Sequence, residues 1–212
     1  MIPHRTPSIL PWLYPALHWR LPTKRNELYL TFDDGPIPGP TEFVLDTLKR
    51  YSLKATFFCI GNNVSKYPEI FQRLAGEGHR IGNHTYNHLS GWSVRPAEYL
   101  EDICRCDELL YNAGSEDPVK SRLFRPPYGR ITFKQVGLLS DRPVIMWDVL
   151  SADYNQRLSS ERCFRNTLRA VRPGSIIVYH DSFKAERNLT YSLPRIIDEC
   201  LSRGYMFSPI PL

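Results

Sequence analysis

With 212 residues, 42% hydrophobic and 23% charged, the chain is long and apolar enough for one well-buried core, which sets aside disordered and fibrous classes. A formal charge of +5 would suit a polyanion, but the Lys and Arg residues are scattered, without a basic block or a nucleic-acid-binding signature, so nucleic acid is not expected as a partner. The five cysteines form an odd set without Cys-x-x-Cys spacing, so no disulfide framework follows; unpaired thiols lean toward a reducing compartment.

Residues 3–22 are punctuated by prolines and read as an irregular arm across the base of whatever follows. Within them, residues 9–19 are apolar but broken by Pro11 and Pro15, too short to span a bilayer and without a clean export signal. No transmembrane segment and a cytoplasmic location are therefore expected, with residues 1–25 as the arm and 26–212 as the catalytic domain. The first strand is predicted at 27–32, and a helix at 41–51 starts behind Gly39-Pro40 with Phe43, Val44, Thr47, Leu48 and Tyr51 at helical spacing. Strands at 54–60, 79–82, 122–125, 144–149, 175–179 and 205–208 then alternate with helices at 64–75, 96–111, 133–139, 160–171 and 193–202.

Such alternation predicts an α/β fold with a parallel sheet. No Gly-rich dinucleotide fingerprint opens the first helix, and a distorted, small or incomplete β/α barrel of about seven parallel strands fits better than an open doubly wound sheet. Position supports that choice. Asp33, Asp34, His84, His88, Arg125, Asp153 and His180 all follow predicted strands, and a barrel gathers its strand ends around one mouth.

The run Thr31-Phe32-Asp33-Asp34-Gly35-Pro36 places two carboxylates side by side at a strand end. Like charges so close repel unless a cation lies between them or one stays protonated, so the pair suggests a metal ligand beside a general base. Taken singly, each piece has an ordinary explanation: Asp-Asp-Gly-Pro as a solvated turn, His84 and His88 as a chance spacing, Arg-Pro-Pro-Tyr-Gly as a rigid loop. Their shared location after apolar runs favours a metal-assisted hydrolase instead.

In chain order, Thr31 to Pro36, then Asn83-His84-Thr85-Tyr86-Asn87-His88, then Arg125-Pro126-Pro127-Tyr128-Gly129, then Ile177-Val178-Tyr179-His180-Asp181 resemble the NodB-homology polysaccharide deacetylases of carbohydrate esterase family 4. The resemblance implies a distorted β/α barrel and removal of acetyl groups from N-acetylglucosamine-containing or O-acetylated poly- and oligosaccharides. It also implies a divalent metal held by Asp34, His84 and His88, zinc first, with cobalt, nickel or manganese as alternatives. Asp33 would be the base, Arg125 its positioning partner, His180 the acid, Asp153 the carboxylate behind His180, and the Tyr128 N–H an oxyanion donor.

Two positions depart from the family pattern. Tyr154 stands where many members have Trp after the Asp, and Val178 where they have Leu; both are expected to shape the acetyl pocket. Asp148 is the rival partner for His180, while Trp147, inside a predicted strand, is expected in the core. A small-molecule amidohydrolase acting on cyclic amides or formamides is the alternative activity. A glycan- or metal-binding module without turnover is the third reading, although binding alone needs neither Asp33 nor His180.

Overall fold

A computed structural model describes residues 3–112 and 122–212. Its sheet is built around β1, Glu27–Asp33, whose neighbours are β2, Thr56–Cys59, on one side and β5, Ile176–His180, on the other. With β3, Arg80–Asn83, and β4, Val149–Leu150, the order is β3-β2-β1-β5-β4; β6, Met206–Phe207, pairs with the start of β1. All these ladders are parallel.

The alternation within β1 explains why its two faces differ. Leu28, Leu30 and Phe32 pack outward against the helices α2, Pro40–Arg50, and α8, Glu186–Ser202, through Val44, Leu45, Leu48, Leu189, Leu193 and Ile197. Tyr29 points the other way, into an inner cluster with Phe58, Leu123, Ile145, Ile176 and Ile210. The same two-residue period carries Thr31 and Asp33 toward the barrel interior, above that apolar floor.

Two predicted strands are shorter than their apolar runs promised. At 122–125 only Phe124 bridges, to Asn83 on one side and Val144 on the other, because Pro126 and Pro127 have no N–H with which to prolong a ladder. The run at 144–149 begins against Phe124 and ends as β4 against β5, so it crosses the gap between two strands rather than pairing along its length. The result, among the described residues, is a six-stranded parallel sheet that does not close. The arm occupies the seam: His18 bonds to Val144 and Met146, while Leu21 N–H donates to the Gly174 carbonyl. A short helix, α1, Ile9–Leu13, interrupts it.

Helix boundaries also follow backbone chemistry. The helix predicted at 64–75 is two, α3, Gly61–Lys66, and α4, Pro68–Gly76, because Pro68 opens a new helix and disfavours helical geometry at Tyr67. Conversely, α8 begins at Glu186, well before the predicted 193, and runs through Pro194. Its buried residues Leu189, Leu193, Ile196 and Ile197 pack on the sheet, which offsets the missing backbone bond. The others are α5, Pro96–Asn112, α6, Phe133–Leu138, and α7, Ser160–Ala170; among the described residues no helix is long and apolar enough to cross a membrane.

The seam supplies a stability test. Gly174 has φ +81°, and a Cβ there would lie 2.1 Å from the Leu21 carbonyl oxygen. Gly174→Ala is expected to cost at least about 2 kcal/mol, from left-handed backbone strain and displacement of the arm. A melting temperature equal to wild type would show that the arm does not depend on this contact.

Candidate active site

The carboxyl ends of β1, β3 and β5 open into one cavity of about 510 Å³, lined by Asp33, Asp34, His84, His88, Tyr128, Arg130, Trp147, Leu150, Tyr154, His180, Ser182 and Lys184. Asp33 and His180 are register partners on adjacent strands. Asp34 follows with φ 89°, which turns its carboxylate away from that of Asp33.

Asp34 Oδ1 lies 3.3 Å from His88 Nε2 and 3.9 Å from His84 Nε2, and the three potential ligand atoms all fall within 4.8 Å of one another. His84 Nδ1–H donates to the Arg125 carbonyl at 2.7 Å, which leaves Nε2 as the free lone pair facing Asp34. Burial, reinforced by neighbouring His88, pushes the His84 pKa well down; burial likewise lowers that of His88, against the pull of Asp34. Both imidazoles are thus held neutral, the form that ligates metal. One oxygen and two neutral nitrogens at this spacing are a donor set that could hold a divalent metal ion.

The histidine loop is anchored from below. Asn83 accepts from Thr85 N–H and donates to the Ile103 carbonyl and Asp107. Asp102 of α5 accepts from Tyr86 N–H, Asn87 N–H and the Asn87 amide. These bonds hold the left-handed residues Thr85 and His88 in place. Neither anchor was expected from sequence. Asn83 stands inside the histidine motif, but Asp102 looks like any helix carboxylate until the fold brings it under the loop.

Arg125 is fully buried, stacked over Phe58 at 4.2 Å. It donates to Asp33 Oδ1 and Thr31 Oγ1, both at 2.7 Å, and to the carbonyls of Ile145 and Met146. A guanidinium with this many acceptors is rigid, and it fixes which oxygen of Asp33 remains available. Burial lowers the Arg125 pKa while Asp33 raises it; the side chain stays cationic at any pH the protein experiences.

At β5, His180 Nδ1–H donates to Asp153 Oδ1 at 2.7 Å and its backbone N–H to Asp153 Oδ2 at 2.7 Å. Burial works against the imidazolium, but the buried Asp153 carboxylate, aided by Asp34 and Asp33, overrides it and moves the pKa up to about 9. Asp148 lies elsewhere, bonded to Arg172 and Ser175 at the other end of the barrel. Asp181 is buried too, and accepts from Gly35 N–H and Thr41 Oγ1. A Cβ on Gly35 would fall 2.0 Å from Asp181 Oδ2, so this carboxyl shapes the Asp-Asp-Gly-Pro turn rather than facing the cavity.

The pocket wall differs in part from expectation. Tyr154 lines the cavity and meets the His180 ring edge-on at 5.0 Å. Val178 does not; it is fully buried within β5, and the apolar wall comes from Leu150 and Trp147. Trp147 is half-buried at the mouth instead of in the core, because the backbone from 146 to 148 bends between its two strand partners. Tyr128, with φ 60°, leans its ring on His88 at 4.6 Å. Its N–H has no hydrogen-bond partner among the described residues.

Comparison with known proteins places these features in a family. Residues 20–141 match the family model described as polysaccharide deacetylase. A peptidoglycan-N-acetylglucosamine deacetylase of Bacillus cereus is 35% identical over 193 residues, 90% of this chain and 69% of that protein. A chitooligosaccharide deacetylase of a Bradyrhizobium species is 32% identical over 203 residues, 88% of this chain and 90% of that protein. The crystal structure of the Bc1960 peptidoglycan N-acetylglucosamine deacetylase, in complex with 4-naphthalen-1-yl-N-oxidanyl-benzamide, matches with a TM-score of 0.88 and 33% identity, over 97% of this chain and 95% of that one. By its motifs, its sheet and these matches, the chain belongs to the NodB-homology polysaccharide deacetylases of carbohydrate esterase family 4 and is a deacetylase.

Proposed function

We propose that this deacetylase hydrolyses the acetamido group of N-acetylglucosamine units in a poly- or oligosaccharide, with Asp34, His84 and His88 holding a divalent metal, zinc in the first place. The observation that carries this reading is that one cavity contains the Asp34, His84 and His88 donor set, the Arg125-bound Asp33 and the Asp153-bound His180. When bound, the cation supplies Lewis acidity, polarising the acetyl carbonyl and acidifying water.

The protein's own groups do the rest. Asp33, aimed by Arg125, takes a proton from water as its oxygen attacks the carbonyl carbon. The free Tyr128 N–H is available to the oxyanion that develops, where one donor is worth about 3 kcal/mol. His180 then protonates the departing nitrogen as the C–N bond breaks, and acetate and a free amine leave. Asp153 keeps the imidazole charged and fixes its tautomer, with Nε2–H as the proton donated.

Acetate release from N-acetylchitooligosaccharides by the zinc-loaded protein tests this reading, and absence of release from any acetylated glycan would end it. Its pH profile has a defined sign. The acid form of His180 is present below its folded pKa, so the rate is expected to fall as pH rises through about 9. Asp153→Asn should move that alkaline limb to lower pH; an unmoved limb would assign it to another group.

A further inference from the structure

The two imidazoles facing Asp34 are held in different ways. His84 donates from Nδ1 to the Arg125 carbonyl, so a hydrogen bond fixes its ring. His88 Nδ1 has no hydrogen-bond partner among the described residues; its ring rests against those of His84 and Tyr128, with centres 5.1 Å and 4.6 Å away. Ring contacts limit the tilt of an imidazole without fixing where its free nitrogen points. A ligating histidine is normally aimed by the hydrogen bond of its other nitrogen, so for His88 that task falls to the backbone.

That backbone is an unfavourable one. Thr85 and His88 both have left-handed φ, 62° and 56°, which residues with a Cβ, and branched threonine above all, adopt only where the surroundings impose it. Between them, Tyr86 N–H and Asn87 N–H donate to Asp102 Oδ2, both at 2.9 Å, and the Asn87 amide donates to Asp102 Oδ1 at 2.6 Å. Asp102 is 7% exposed and forms no ion pair among the described residues, so the loop's own N–H groups solvate its charge. Its helix cannot easily follow the loop. Tyr99, Ile103, Cys106 and Leu110 bury α5 in two apolar clusters, which makes Asp102 a fixed post.

We propose that Asp102 is the positioning residue for His88: by pinning the turn between Thr85 and His88 it aims His88 Nε2 at the space beside Asp34 and so sets the affinity for the divalent metal. The proposal rests on the metal-binding reading above and assigns part of that affinity to a carboxylate outside the donor set. Loading is thereby separated from turnover. The Asp33–Arg125 and His180–Asp153 pairs form without any group of α5, so a loosened histidine loop leaves them in place. Both oxygens of Asp102 accept, which an amide cannot reproduce. Asn at 102 keeps an acceptor for the two backbone N–H groups but turns an NH₂ toward that of Asn87.

The test measures the zinc Kd of metal-free protein by chelator competition, its melting temperature, and kcat for acetate release from an N-acetylchitooligosaccharide at saturating zinc. Zinc binding is expected to weaken about tenfold in Asp102→Asn and up to about a hundredfold in Asp102→Ala, the range for residues that orient metal ligands. In both, kcat should return close to wild type once zinc saturates. Gly174→Ala, at the base of the barrel, is the control: it should lower the melting temperature and leave the zinc Kd unchanged. Should Asp102→Ala fail to fold, Asp102→Asn decides alone. An unchanged zinc Kd, an equal weakening in Gly174→Ala, or a kcat that stays low at saturating zinc would overturn the positioning role and leave the metal site standing. A wild-type protein that binds no zinc would overturn both.

Discussion

Asp33→Asn is expected to lower acetate release by about 10²- to 10⁴-fold while zinc content stays at the wild-type level. The substitution is nearly isosteric. An Asn oxygen can still accept from Arg125 at the place where Asp33 Oδ1 now does, and the donor set of Asp34, His84 and His88 is untouched. What disappears is proton affinity, the property a base must have. The variant also leaves a fully buried guanidinium without its counter-charge, a situation that costs up to about 3–5 kcal/mol. Retained bonds from Arg125 to Thr31, Ile145 and Met146 soften that loss, so a folded protein with a lowered melting temperature is the expected background. A folded variant hydrolysing at the wild-type rate would remove Asp33 from the role of base.

His84→Ala is expected to lose metal and activity together, which separates ligand from base. His84 is 2% exposed, and its Nδ1–H is already committed to the Arg125 carbonyl, so its Nε2 is the atom available to a cation. Binding to the folded state alone stabilises by about 4 kcal/mol at a thousand times Kd. Chelation should therefore lower the melting temperature of the wild type and leave that of the variant unchanged. Because an alanine also opens a cavity, His84→Gln is the companion variant, filling space without an imidazole. Stoichiometric zinc in either variant would contradict the ligand assignment.

The comparison of sequence and structure turns on distance along the chain. Asp33, Asp34, His84 and His88 stand at the ends of strands whose apolar runs are visible locally, and parallel α/β alternation is enough to bring such ends to one face. Asp148 is a rival to Asp153 in the sequence because both sit near Trp147, and it is the spacing of the family motif that favours Asp153. The register of β4 on β5 separates them, sending Asp148 toward Arg172 and Asp153 toward His180. Asp102 and Asp181 carried no readable signal of their roles, because each acts on a turn supplied by a distant segment. Trp147 lies at the mouth and not in the core for a related reason, whereas Val178 shares the interior face of β5 with His180 but is fully buried two residues nearer the base. A β-prone run says that a residue is in or near a strand, but which face it presents depends on the partner strand, and at 144–150 the partner changes midway.

By itself the sequence identified the family and singled out the side chains proposed to hold a cation, move protons and orient a carboxylate, and it placed them after the strands of a parallel fold. Local periodicity and residue type carry that information because they act over a few residues. Only the tertiary structure decided that the sheet stays open with the arm in its seam, that Asp102 braces the histidine loop, and that Trp147 rather than Val178 lines the cavity. Those outcomes depend on contacts between segments far apart in the chain, where packing and hydrogen-bond register, not local propensity, select among the alternatives.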